Sequence, residues 1–175
     1  MATKTNTPMA PMATKAAAAS TIIMLIATPM LLFQGAFAAP TLHGPITCQI
    51  VGANQLECKL NVSGLGGATT ATATLVATAT VTTGCINQGA AETQPQGLQR
   101  TTTTVTDTQT VNVEKGGRAT FDLVTSALNA KELRTCPDGM TPTVVCVTFS
   151  NISIAVIPNS GPSKTFSVPG TLSNC

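Results

Sequence analysis

The sequence predicts an all-β fold, a disulfide-braced β-sandwich of about seven to eight strands with Greek-key connections, immunoglobulin-like in the loose sense. The first observation is the segment 69–85 (TTATATLVATATVTTGC), in which threonines alternate with small or apolar residues. A period of two places successive side chains on opposite faces of a strand, and β-branched threonine favours strands over helices. The second observation is that six cysteines follow a stretch with the features of a signal peptide. An even number of cysteines is typical of exported domains braced by disulfides.

Residues 1–38 are predicted to be this signal peptide. Two lysines accompany an apolar run at 16–33, and Ala-Phe-Ala at 36–38 supplies the small residues that signal peptidase recognises. The alternative is an uncleaved membrane anchor, but a Thr-Pro pair interrupts the run, which is short for a bilayer span of about 20 residues. We therefore expect cleavage after Ala38 and a secreted or extracellular location, with association at the cell surface as one form of it.

The predicted mature chain has no net charge. Nine lysines and arginines less the two in the signal peptide leave seven, against seven aspartates and glutamates. These charges are scattered along the chain, so there is no basic stripe to neutralise phosphates or to adsorb to anionic lipid. We predict no nucleic-acid partner and no membrane association after signal cleavage.

The six cysteines all lie beyond the predicted cleavage site and predict three disulfides. The alternative, a metal site, needs close ligand pairs such as C-x₂-C with histidines, but the closest cysteines are ten residues apart and His43 is the only histidine. No metal and no cofactor is therefore predicted. Strand phase and position favour three pairs among the possible ones: Cys48–Cys58, Cys85–Cys136 and Cys146–Cys175.

The mature chain begins with an extended leader at 39–45, which contains two prolines, and continues as a single β-sandwich domain at 46–175. A hairpin follows around a turn at 52–54, because apolar residues alternate on both sides of it. Its inward positions are predicted to be Ile46, Cys48, Ile50, Leu56, Cys58, Leu60 and Val62.

The strand at 69–85 is longer than usual strands of about 3–10 residues. We therefore expect a bend or bulge near Val76-Ala77, with a change of sheet at that point as one way to accommodate the length. Residues 86–99 lack periodicity and are rich in Gly, Gln and Pro, so they are predicted to form a long exposed loop.

The second half of the chain repeats the strand pattern. A hairpin turns at 115–118, and the alternation of its first strand falters between Val105 and Val111. Residues 127–135 are the only candidate for a short helical turn. The most apolar strand, 144–157, slips in phase between Phe149 and Ile152, which predicts a second bulge. A last strand is predicted at 164–168.

Candidate catalytic residues are sparse. Acid–base chemistry needs carboxylates, or a carboxylate and an imidazole, brought together in a cleft. Here the carboxylates are isolated in sequence, His43 lies in the leader, and there is no G-x-S-x-G motif. No D-x-D-x-D calcium spacing occurs either. We predict that the chain is not an enzyme and that its acidic residues are solvated: Glu57, Glu92, Asp107, Glu114, Asp122, Glu132 and Asp138.

Two N-glycosylation sequons occur, Asn61-Val62-Ser63 and Asn151-Ile152-Ser153. Each lies in a predicted strand, and sequons arise easily by chance in chains rich in serine and threonine. The sequence therefore favours unoccupied sites at both asparagines.

The remaining interpretation is a non-enzymatic structural or adhesive protein of the cell surface or extracellular matrix, acting through its polar threonine-rich surface. Its partner is then another extracellular protein, or a second copy joined through sheet edges. A more specific hypothesis is that the regular hydroxyl groups order water or bind ice, but β-propensity alone explains the threonines. The alternatives are a small-ligand or glycan-binding module, which the absence of Trp and Tyr disfavours, and a secreted enzyme inhibitor that uses the loop at 86–99.

Overall fold

The structure is a computed structural model, and it describes residues 38–52, 54–87, 89 and 94–175. The predicted signal peptide, apart from Ala38, lies outside the described residues. The regular secondary structure of the described part is β-strand apart from one short helix, α1 at Ala130–Leu133. Its strands are β1 Thr41–Leu42, β2 Thr47–Val51, β3 Gln55–Ser63, β4 Thr70–Asn87, β5 Gln96–Asn112, β6 Ala119–Val124, β7 Met140–Pro158, β8 Lys164–Val168 and β9 Leu172–Ser173.

The strands form two antiparallel sheets. In the four-stranded sheet β3 is central, with β6 along one edge and both β1 and β2 along the other. In the five-stranded sheet β4 lies between β5 and β7, and β8 and β9 share the far edge of β7. The all-β prediction is confirmed, and among the described residues the strand count rises to nine, because β1 and β9 are short pairings of two residues each.

The inward residues of both sheets belong to one hydrophobic cluster. Along β4 every alternate residue from Ala71 to Val81 is buried, which confirms the phase that the sequence predicts. The inward side chains of this strand are mostly alanines, so most of the side-chain volume of the core comes from the other strands. The largest fully buried side chains include Phe121, Phe149, Leu56, Leu75, Leu123, Ile152 and Ile154.

One bulge accounts for both irregularities predicted in the long strands. Val76 pairs with Ser153 and Thr78 pairs with Ser150, so Ala77 alone faces two residues of β7, Asn151 and Ile152. The extra residue restores the inward phase on either side of the bulge. Asn151 takes up the distortion with a φ of 51°, in the left-handed region that asparagine tolerates better than most residues. The strand does not change sheet at this point.

The predicted loop at 86–99 was wrong in extent, because β4 continues to Asn87 and β5 already begins at Gln96. The sequence misses these strand ends because their pairing is irregular: the register shifts between Thr83 and Cys85. Gly84 also permits a close approach, since a Cβ on it would lie 2.5 Å from the Cβ of Pro95.

Two smaller corrections concern the leader and the helical turn. Part of the leader is paired, because β1 joins the end of β3. The helical turn predicted at 127–135 is confined to α1, whose N-cap Asn129 accepts a hydrogen bond from the backbone N–H of Lys131 at 3.0 Å.

Three disulfides brace the sheets, in the pairs that the sequence favours. Cys48–Cys58 joins directly opposed residues of β2 and β3, with Cα atoms 4.1 Å apart. Cys85–Cys136 attaches the segment after α1 to β4, and Cys146–Cys175 attaches the C-terminal residues to β7.

Polar side chains connect the edge of one sheet to the other. The carboxylate of Asp107 accepts a hydrogen bond from the backbone N–H of Val124 at 2.9 Å, and the side-chain oxygen of Gln109 accepts from the N–H of Asp122 at 2.9 Å. Both acceptors are on β5, and both donors are on β6, which pairs only with β3 on its other side. These bonds satisfy backbone donors that an edge strand otherwise leaves open to pairing with another chain.

Substitution of Asp107 by alanine is expected to lower the free energy of unfolding by about 1–2 kcal/mol, because a charge-assisted hydrogen bond to Val124 is lost at a half-buried position. Urea denaturation measures this change. The control is Thr106→Ala, which removes a neighbouring outward side chain. It should change the free energy of unfolding by less than about 0.5 kcal/mol. Equal effects of the two variants would contradict a connecting role for Asp107.

Candidate interaction surface

The outer face of the β4–β5 pair is lined by threonines, and we call it the threonine face. The inward residues that alternate with them along β4 are buried, so the threonines point away from the core. On β5 the corresponding threonines are all exposed. The threonine face consists of Thr72, Thr74, Thr78, Thr80 and Thr82 on β4, and Thr102, Thr104, Thr106, Thr108 and Thr110 on β5.

The register of the two strands turns these threonines into a regular array. Thr72 faces Thr110 with hydroxyl oxygens 2.8 Å apart, and the hydroxyl of Thr108 donates to that of Thr74 at 3.2 Å. Strand geometry sets a repeat of about 4.8 Å across the strands and about 6.7 Å between alternate residues. Opposed threonine pairs also stabilise the sheet, by roughly 0.2–1 kcal/mol each.

Further hydroxyl groups extend this surface across the rest of the sheet. Ser150 of β7 lies opposite Thr78, and Thr148 lies opposite Thr80 with its hydroxyl 2.9 Å from that of Ser173 on β9. Val76 interrupts the row on β4, and Arg100 faces Thr82 at one end. The paired threonines of the described β4 and β5 thus form a neutral surface of methyl and hydroxyl groups.

A shallow groove of about 270 Å³ runs beside β5, between residues 103–106 and the segment 126–133. Apolar side chains of Leu128 and Leu133 line it together with Asn129 and Glu132, whose side chains bond each other at 3.2 Å. Its volume lies below the range of about 300–1,000 Å³ typical of small-molecule pockets. Of the described strands β5 pairs only with β4, so its other edge borders this groove.

The four-stranded sheet brings two of the predicted isolated carboxylates together. The ammonium of Lys59 lies 3.1 Å from a carboxylate oxygen of Glu57 and 3.3 Å from one of Asp122. The amide of Gln49 donates to Glu57 and, with Lys59, holds the pKa of this carboxyl below its ordinary value. Glu57 and then Asp122 raise the pKa of Lys59. Both shifts favour the charged forms of these groups, as expected for an ion pair.

The other predicted candidates are dispersed. His43 is exposed, and its backbone N–H donates to the carbonyl of Asn61 at 2.8 Å. Glu92 lies outside the described residues. No group of three His, Cys, Asp or Glu side chains within the described ranges is placed to hold a metal ion.

The two sequons differ in their surroundings. Asn61 is half-buried on the central strand β3, and its side-chain oxygen is buried without a hydrogen-bond partner. Asn151 is exposed at the bulge of β7.

Sequence reasoning missed four polar side chains that fix the sheets. Beside Asp107 and Gln109 these include Thr125, which is fully buried and whose hydroxyl accepts from the N–H of Leu56 at 3.0 Å. Arg134 donates to the carbonyl of Thr83 at 3.0 Å and to that of Gly97. For Asp107, Gln109 and Thr125 the available signal was a polar residue at a position where the alternation called for an apolar one.

No protein-family model, curated protein or solved structure matches this chain. Within the described ranges, no helix is long and apolar enough to cross a membrane.

Proposed function

We propose that the chain is a secreted, non-enzymatic protein with a structural or adhesive role at the cell surface or in the extracellular matrix. The threonine face is the observation that supports this role. It offers hydroxyl groups as donors and acceptors, and methyl groups that bury apolar area on contact. Because its threonines are neutral, binding through it depends little on salt, in contrast to binding through a charged patch.

The disulfides support an extracellular location. Disulfides persist in oxidising compartments and are rare in the cytosol, and all six cysteines here are paired. Together with the short loops between most strands, they suit a protein that must withstand proteases outside the cell. The predicted signal peptide at 1–38 agrees with this location.

We also propose that the two sheets stack as a β-sandwich with Greek-key connections, immunoglobulin-like in the loose sense. The shared hydrophobic cluster supports stacking, and so do the hydrogen bonds that Asp107 and Gln109 accept from backbone N–H groups of β6. The strand connectivity supports the Greek-key arrangement, because β6 returns to pair with β3 and β7 returns to pair with β4. Domains of this architecture often serve as cell-surface modules, which is an argument by analogy with the fold alone.

A second candidate is a binding module, and the groove beside β5 favours it. An extended segment of another extracellular protein, or of a second copy, could add to the free edge of β5 by backbone hydrogen bonds. The small volume of the groove and the absence of Trp and Tyr disfavour a glycan or other small ligand.

The proposal is tested by placing charges on the threonine face and measuring retention at the cell surface. The variant Thr104→Glu/Thr108→Glu puts two carboxylates among the exposed threonines of β5. We expect the fraction retained on washed cells or matrix to fall at least about tenfold, which corresponds to about 1.4 kcal/mol of lost binding. Immunoblots of the washed fraction and the medium give the ratio.

The matched control is Thr47→Glu/Thr120→Glu, two exposed threonines on the other sheet. It should be retained like the wild type. Equal retention of all three proteins would overturn a role for the threonine face, and full release of the wild type into the medium would overturn the adhesive role itself. Thermal unfolding of each variant verifies that the fold is kept.

A further inference from the structure

The bulge of β7 presents one sequon asparagine in an accessible position. Asn151 is exposed, and its side chain makes no hydrogen bond to another described residue. Phe149 and Ile152 on either side are buried, whereas Ser150 and Ser153 belong to the outer face of the sheet. The amide nitrogen of Asn151 is therefore free to carry a large substituent without disturbing the core.

Asn151 also lies at a gap in the sheet edge. Strand β8 pairs with β7 from Ile152 onward, and β9 pairs only with Thr148 and Phe149. Between these two short strands, which residues 169–171 link, residues 150 and 151 of β7 pair with neither of the described strands β8 and β9. A substituent at Asn151 therefore meets no described strand that pairs with β7 at this position.

Asn61 lies in a different environment. It is on the central strand of its sheet, opposite Thr120 on one side and bonded through its carbonyl to His43 on the other. Its side-chain oxygen is buried. A glycan attached at Asn61 would have to project from the middle of the sheet, at a half-buried position on a strand with partners on both sides.

We propose that Asn151 carries an N-linked glycan and that Asn61 does not. This inference rests on the export that the proposed function requires. In the transfer, the anomeric carbon of an oligosaccharide bound to a lipid pyrophosphate forms a bond to Nδ2 of Asn151. The bond from that carbon to the pyrophosphate oxygen breaks, the lipid pyrophosphate leaves, and the amide nitrogen loses one hydrogen as a proton. The hydroxyl of Ser153 completes the acceptor sequon.

The glycan has a consequence for the threonine face. Ser150, the neighbour of Asn151, lies directly opposite Thr78. The glycan therefore borders the threonine face on the side of β7.

The test is expression of the full chain in a eukaryotic secretory host, followed by intact mass of the exported protein before and after peptide-N-glycosidase. The wild type and Asn61→Gln should each carry one glycan, and Asn151→Gly and Ser153→Ala should carry none. Glycine suits the left-handed backbone at 151, and Ser153→Ala leaves Asn151 itself unchanged, so loss of glycan in both variants is not a folding effect.

An exported, disulfide-bonded chain without a glycan, or with one on Asn61, overturns this inference and leaves the proposed function standing. A chain that stays in the cell with residues 1–38 attached overturns both. Peptide mass spectrometry distinguishes the two sites, because enzymatic release of the glycan converts the modified asparagine to aspartate.

Discussion

Replacing Cys85 and Cys136 together with alanine is expected to lower the free energy of unfolding by about 4 kcal/mol, because the closed loop of the unfolded chain is long. The two residues are 51 apart in sequence. Opening the loop restores conformational freedom to the unfolded state, and the native sheet loses its covalent link to the segment after α1. Against typical net stabilities of about 5–15 kcal/mol, this is a large fraction of the total.

The same disulfide holds the irregular end of the β4–β5 pair. Arg134, two residues before Cys136, donates to the carbonyls of Thr83 on β4 and Gly97 on β5. Loss of the disulfide releases this side chain from its anchor, so we expect local loosening of the β4 and β5 ends before global unfolding. Hydrogen exchange of the amides near Gly97 should detect it.

The matched control is the double alanine variant of Cys48 and Cys58. These cysteines are only 10 residues apart, so the entropy argument gives about 3 kcal/mol. Urea denaturation of both variants measures the two losses. A larger loss for the Cys48–Cys58 pair would contradict the loop-length explanation.

Substitution of Phe149 by alanine is expected to lower the free energy of unfolding by about 3–5 kcal/mol, because buried apolar area is lost and a cavity remains. Phe149 is fully buried on β7, directly opposite Ala79 on β4. Because the inward side chains of β4 are mostly alanines, the neighbouring strand has little bulk with which to fill the space left by the ring.

The control for this prediction is Leu98→Ala, in which an apolar side chain that is 62% exposed is truncated. It should change the free energy of unfolding by less than about 0.5 kcal/mol. A loss below about 1 kcal/mol for Phe149→Ala, measured by urea denaturation, would mean that this ring is not part of a close-packed core.

The strands and their phases could be predicted because the signal is local. The alternation over 69–85 identifies both the inward alanines and the outward threonines of β4. Strand phase also favoured the observed cysteine pairs, since Cys48 and Cys58 are equally distant from their turn. The slip at Phe149–Ile152 and the bend at Val76–Ala77 were both recognisable, although only the register reveals that they form one bulge.

The connections between the sheets could not be predicted because their partners are distant in sequence. Asp107 and Gln109 interrupt the alternation of β5, and the sequence alone offers no reason for polar residues at inward positions. Their partners are backbone groups of β6, which only the folded chain brings near. Thr125 likewise bonds Leu56, 69 residues away.

The sequence predicts part of the threonine face but not its full arrangement. The threonines of β4 were expected on one face, but their alignment with the threonines of β5 depends on the hairpin register. That register is set where residues 86–99 were expected to form a loop, and where bulges and glycines replace regular alternation. Local periodicity therefore predicts each row of threonines but not the array.

Export from the cell is the condition that the proposed function, the glycan and the stable disulfides share. Intact mass of the protein recovered from the medium, before and after reduction, tests it most directly. We expect a chain that begins at Ala39 and gains about six daltons on reduction, two hydrogens for each of the three disulfides. A chain that retains residues 1–38, or that contains free thiols before reduction, would contradict export and would remove the basis for an extracellular role.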